Sequence, residues 1–437
     1  MKNNDIKNLL SIISGVKDNI INIYIEQKKE SQVDYYLKSK AYKKQKNSLG
    51  ARIIIKNHQD IVTFFKSFNF TNTKDLFFKI YEIICNNCTF TITHSKNIKI
   101  KKNKQKKYRI NFQKKNRIKD FAFSIIGDLD SARLSFYDME TRIIVMQSNI
   151  NYVNDINYLY SRIRLFGTIK NCENFDFAHS INGYNYINKS FINKFCNNFL
   201  YHLNCKNKAI KFSDGIYDIM FSNNCGTVFH EVFGHNLELD NIERYNIKAF
   251  SKGNDIGNSL ISYYDCPNYE KKINIVYDDY LKRTRNKLLI QNGIIKGNIT
   301  TYVSENYSYF PYTRMTNSYL KPLKLSNLKK FKNYIYVEKI KYGRLDLENQ
   351  TITVVIDLGF LMCDGNISNI IKDLTFTIDV MTFIKKISYI GNDLKFVPTI
   401  CGSYSGNIFQ NVGCPTVFVN SIFVKKYINE KMLKMKL

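Results

Sequence analysis

Residues 226–240 read GTVFHEVFGHNLELD, and the rest of the chain is best understood outward from them. Two of the six histidines, His230 and His235, stand five apart here, with Glu231 beside the first. Neutral imidazoles are good zinc ligands, and a neighbouring carboxylate can take the proton of a metal-activated water. The spacing needs a physical explanation. Side chains four apart on an α-helix diverge by roughly 40°, whereas side chains five apart diverge by roughly 140°. On a regular helix His230 and His235 could not face one ion, so the segment predicts a helix that bulges or ends between them. Gly234 is placed to permit that distortion. The residues alone leave a plainer reading open: two ordinary helix histidines and an exposed glutamate.

Downstream of this segment, strand and turn signals dominate. LLIQNGIIKG, around Asn292-Gly293, and TVVIDLGFLMCDGNI, around Asp364-Gly365, each predict a β-hairpin, because Asn-Gly and Asp-Gly accept the positive φ angles of tight turns. Upstream, ETRIIVMQSNI (140–150) reads as a strand. Phe191, Phe195 and Phe199, with Ile192, Cys196 and Leu200, recur every four residues as an amphipathic helix packed on a sheet. Another helix is expected near Thr73 to Ile84, with Leu76, Phe77, Ile80, Ile83 and Ile84 on one face. The fold class expected is α+β and multi-domain, with mixed N-terminal and central regions and a strand-rich C-terminal domain. The domains expected are 1–95, a basic linker at 96–119, 120–225, and 226–437.

At 437 residues and 44% hydrophobic content, the chain can bury a large core and is not a disordered tail. No stretch approaches the roughly 18 apolar residues of a membrane span. The opening MKNNDIKNLLSIISGV is broken by Lys7, Asn8 and Ser11, unlike a signal-peptide core, so a cytoplasmic protein is expected. The net charge of +28 raises the question of an anionic partner. Absence of Trp, only 5 Pro, and an excess of Lys, Asn, Ile, Tyr and Phe fit AT-rich codon usage, which accounts for much of that charge. Residues 96–119 carry twelve Lys or Arg and no acid, read as a solvated linker in preference to a nucleic-acid arm.

The 226–240 segment resembles the metal-binding HExxxH motif of the TldD/PmbA family of metallopeptidases, in its catalytic TldD type. The likeness takes in Gly226-Thr227, Leu237-Glu238 and Asp240, and it continues in order through IQNGIIKG (290–297), YTRMTNSYL (312–320), IGNDLKF (390–396) and ICGSYSGN (400–407). It is weaker toward the N-terminus, where it rests on GARIIIKN (50–57) and the helix after TNTKDL. The resemblance implies that Cys401, in the corresponding CG motif, joins His230 and His235 as a third metal ligand, with Glu231 as general base. Such a donor set favours zinc (Zn2+) over magnesium or calcium, since the thiolate is soft.

The activity implied is hydrolysis of unfolded or short peptides by a metal-activated water. The assembly implied is a heterodimer with a related, non-metal-binding TldE/PmbA-type subunit, or a self-paired dimer. A degenerate, non-catalytic subunit or a basic nucleic-acid-binding protein is the alternative. Glu238, Arg314, Asn317 and Asp393, in the similar segments, shape the cleft or hold loops. KYGRLDL is shorter than the glycine-rich stretch the family places before the strand near Thr351. Cys414 falls outside the motif, and Cys85-x-x-Cys88 lacks a second ligand pair beyond the nearby His94.

Overall fold

The fold is taken from a computed structural model that describes residues 8–9, 13, 20–56, 61–68, 73–87, 99–104, 112–147, 152–169, 175–181, 187–267, 269, 283–300, 313–323, 331–403 and 406–427. The chain divides into two compact units, one holding most residues up to Cys196 and the other most residues from Asn197 onward. The architecture is α+β and multi-domain, with strand-rich C-terminal sheets.

The first unit is built on one sheet. Its strands are β1 (Ile20–Tyr36), β2 (Tyr42–Lys56), β3 (Ile61–Phe68), β4 (Lys99–Lys104), β5 (Ser131–Gln147), β6 (Tyr152–Thr168) and β7 (Phe175–Ile181). The order is β3-β2-β1-β5-β6-β4, with β7 also paired to β6. Alternate residues of β1 face one way, so Ile21, Ile23 and Ile25 are buried opposite Ile55, Ile53 and Ala51 of β2. Helix α1 (Thr73–Asn87) adds Leu76, Ile80 and Ile84, four apart, to the same core, as their periodicity predicts.

Two expected boundaries are corrected here. The described part of 96–119 is not a linker: β4 runs parallel to β6, and helix α2 (Phe112–Ile126) follows. Backbone pairing does not depend on side-chain charge, and lysine-rich strands suit a sheet edge because they discourage pairing with other chains. Within α2, Lys115 is buried, with its ammonium 2.5 Å from Asp138, which also accepts from Ser161 at 2.7 Å. Nor do 1–95 and 120–225 form separate domains, since β1 pairs with β5 from Asn22↔Gln147 to Tyr36↔Arg133. Pairing between strands so far apart in the chain leaves no local sequence trace.

The second unit contains the C-terminal part of helix α3 (Lys189–Asn207) and strands β8 (Gly215–Phe221), β9 (Tyr263–Asp265), β10 (Lys287–Gln291), β11 (Ile294–Ile295), β12 (Ser318–Leu320), β13 (Tyr334–Asp346), β14 (Thr351–Cys363), β15 (Asn366–Asp379), β16 (Ile387–Ile390), β17 (Lys395–Ser403), β18 (Gly406–Cys414) and β19 (Val417–Lys426). It therefore begins before residue 226, because β8 sits between β13 and β19. One sheet runs β11-β10-β9-β12-β18-β17 and the other β15-β14-β13-β8-β19-β16. Because β15 also pairs with β19, five strands of the second sheet close on themselves. Both expected hairpins are present, with Asn292 and Gly293 at φ 48° and 82°, and Asp364 and Gly365 at 49° and 79°. Val228, Phe229, Val232, Phe233 and Leu237 are buried in the same core as Ile219, Phe221, Phe376 and Phe383, which fixes the HExxxH segment among the strands.

Candidate metal centre

Helix α4 (Gly226–Phe229) passes directly into a π-helical turn, His230–Gly234, and then a 3-10 turn, His235–Leu237. The backbone N–H of His235 donates to the carbonyl of His230, a hydrogen bond spanning five residues. That wider turn stacks residue 235 over residue 230, and the two ring centroids lie 4.9 Å apart. The distortion expected from the spacing is present. Gly234 is needed for a different reason from the one expected. Its backbone is ordinarily helical, at φ −60° and ψ −58°, but a Cβ there would collide with the Sδ of Met315. Gly226 is similarly constrained, since a Cβ would lie 2.8 Å from the carbonyl oxygen of Val412 in β18.

Cys401, on β17, completes a group in which one ligand atom each from His230, His235 and Cys401 lies within 4.8 Å of the others. Its Sγ is 3.3 Å from His235 Nε2. His230 and Cys401 are 2% and 5% exposed, so the donors are shielded from bulk water. Hydrogen bonds orient both rings. Glu238 accepts from His235 Nδ1 at 2.8 Å and from Asn241 at 3.0 Å, and Ser318 Oγ lies 3.1 Å from His230 Nδ1. Glu231 has one carboxylate oxygen 3.9 Å from His235 Nε2, while the other accepts from the backbone N–H of Leu345 at 3.2 Å.

Burial lowers the pKa of His230 well below the ordinary imidazole value, keeping it neutral. For His235 burial acts the same way, but the Glu238 carboxylate and Cys401 outweigh it and hold the ring well above that value. Burial raises the Glu231 carboxyl, opposed by His235 and the Leu345 N–H. Two imidazoles and a thiol suit a borderline-soft cation such as zinc, and the pre-oriented Nδ1 contacts are what a histidine ligand needs from its surroundings.

The other residues flagged in the sequence each have defined partners. Arg314 donates to the backbone carbonyl of Cys401 at 2.7 Å, tying the 313–323 segment to β17. Asn317 donates to the carbonyls of Cys266 and Pro267 and accepts from Asn411 N. Asp393 accepts from both the N–H and the hydroxyl of Thr416. These last two hold loops. Cys414 lies outside the group, its thiol donating to Ser222 O and pushed well up by burial. Cys85 lies in α1, whereas Cys88 and His94 fall outside the described residues. Sequence reading missed Ser318 and Leu345, since a serine and a backbone amide carry no motif.

Residues 214–426 match the family described as the PmbA/TldA metallopeptidase C-terminal domain. These C-terminal residues belong to the TldD/PmbA family. The chain is 26% identical over 221 residues to a "Metalloprotease TldD homolog" of Buchnera aphidicola from Acyrthosiphon pisum, a match covering 46% of each chain. It is 24% identical over 239 residues to a "Metalloprotease" of Methanothermobacter thermautotrophicus, covering 50% of this chain and 52% of that one. The chain thus spans about half the length of the relatives it matches. The structural likeness extends further. A putative modulator of DNA gyrase from Bacteroides thetaiotaomicron superposes with a TM-score of 0.71 at 14% identity, over 98% of this chain and 100% of that chain. TldE from Thermococcus kodakarensis superposes with a TM-score of 0.67 at 12% identity, over 96% and 99%. Among the described residues no helix is long and apolar enough to cross a membrane.

Proposed function

We propose that the chain is a zinc-dependent peptidase of the TldD type, with His230, His235 and Cys401 as metal ligands and Glu231 as general base. The observation that carries this reading is the five-residue hydrogen bond from His235 to His230, which brings two otherwise divergent imidazoles beside Cys401. A zinc ion, when bound, supplies Lewis acidity at the scissile carbonyl and at the attacking water.

The chain's own residues do the rest. His235, held by Glu238, and His230, beside Ser318, keep fixed orientations. Glu231 accepts the water's proton at the oxygen near His235 while Leu345 N–H holds the other oxygen, and it then returns that proton to the leaving amine. Burial of its carboxyl raises its proton affinity toward the range a general base needs. Unfolded or short peptides are the proposed substrates, the cytoplasm the proposed location, and a TldE/PmbA-type subunit or a second copy the proposed partner. The test is metal analysis of the purified protein paired with cleavage of a short unstructured peptide. Protein carrying no zinc, or carrying zinc but inert with every partner arrangement, overturns the proposal.

A further inference from the structure

The two imidazoles are held in parallel ways. His235 has Glu238 at Nδ1 and, 3.3 Å from Nε2, the sulfur of Cys401. His230 has Ser318 at Nδ1 and, 2.9 Å from Nε2, the side-chain amide of Gln410. Gln410 is fully buried, at 0% exposed. The far end of its amide lies 2.7 Å from Thr316 O and 3.2 Å from Met315 O. Carbonyl oxygens only accept, so that end is the NH2 group, and the amide oxygen is the atom turned to His230.

Strand register explains how it arrives there. Cys401 of β17 pairs with Ile408 of β18, and Gln410, two residues on, shares that face of the sheet. The β17–β18 pair therefore delivers a sulfur to one Nε2 and an oxygen to the other. Nothing in the 226–240 segment or the CG motif signals this, because glutamine is not among the residues by which metal sites are usually recognised.

We propose that the side-chain oxygen of Gln410 is a fourth protein donor at the metal centre. The proposal rests on the reading of His230, His235 and Cys401 as ligands. A carboxamide oxygen is neutral, so it adds a donor without adding charge, and zinc sites can expand to five donors, which leaves a place for water. Its anchoring on Thr316 and Met315 fixes the oxygen before any ion arrives, so little ordering remains to be done on binding.

The alternative is that this oxygen merely accepts an N–H from His230 Nε2. The two differ in sign. A donor strengthens metal binding, whereas an N–H acceptor at the ligating nitrogen competes with it. The experiment uses the full chain with zinc as probe and measures the dissociation constant by chelator competition, alongside the visible spectrum of the cobalt-substituted protein. Gln410→Leu should weaken zinc binding about 10-fold or more, the scale seen when groups supporting a ligand are removed. Gln410→Glu, which keeps an oxygen donor, should bind zinc more tightly than Gln410→Leu does, and should shift the cobalt bands. Zinc binding by Gln410→Leu equal to or tighter than the parent's overturns the proposal. If Gln410→Leu does not fold, an unchanged cobalt spectrum in Gln410→Glu overturns it instead. A parent chain that binds no zinc sinks the peptidase reading itself, a distinguishable result.

Discussion

Glu231 is tied to strand β13 by the backbone N–H of Leu345, which donates to one of its carboxylate oxygens at 3.2 Å. In the proposed mechanism the oxygen near His235 is the one that takes the proton. Glu231→Gln keeps an oxygen to accept from Leu345 but cannot take a proton. Zinc content should be unchanged and peptide cleavage should fall by about 10² or more. Loss of zinc would make Glu231 a ligand, and full activity would remove it from the mechanism.

Cys401→Ser replaces the soft donor of the set. Zinc retention after dialysis should fall well below the parent's, expected near one ion per chain, while the β17–β18 pairing that positions the residue stays intact. Unchanged retention, measured by elemental analysis, would take Cys401 out of the site.

Two glycines make a graded test of packing. At Gly226 a Cβ meets the backbone of β18, which cannot yield, whereas at Gly234 it meets the flexible end of Met315. Gly226→Ala should therefore cost more stability than Gly234→Ala, each within or above the roughly 1–3 kcal/mol of overpacking. Met315→Ala should recover part of the Gly234→Ala loss and none of the Gly226→Ala loss in denaturant titrations. Equal rescue of both would contradict the contact assignments.

Asp357 supplies the pH dependence. Its side chain is 2.6 Å from Lys206 and 3.1 Å from Lys339; burial raises its pKa, but the two ammonium groups outweigh this and hold it below the ordinary aspartate value. A carboxyl depressed in the folded state stabilises the fold above its unfolded pKa, and that contribution is lost as pH falls through the lower, folded value. Acid titration should show stability declining from about pH 4 downward. Asp357→Ala should remove this part of the decline and cost about 3 kcal/mol or more at neutral pH, by leaving Lys206 without its nearest partner. A decline identical in the two proteins would exclude Asp357 as its source.

Local features were legible in the sequence because their causes are local. The turn residues at 292–293 and 364–365, the four-residue spacing of α1 and the five-residue spacing of the histidines each act within one or two turns of backbone. Cys401 could be placed only through resemblance, since strand pairing brings it to His235 from 166 residues away. Ser318 and Gln410 arrive by register alone. The basic run at 96–119 misled because charge describes solvent exposure well and hydrogen-bonded pairing poorly, and β4 uses the latter.

The same separation of 166 residues orders events during synthesis. The helix bearing both histidines leaves the ribosome long before β17, and β8, which precedes that helix, finds its neighbours β13 and β19 only afterwards. A nascent chain thus carries the histidines without the thiol or the sheet that aligns them. On the proposed reading, a peptidase assembled in this order would spare its own unfinished chain, because the group of His230, His235 and Cys401 forms only once the domain around it has folded.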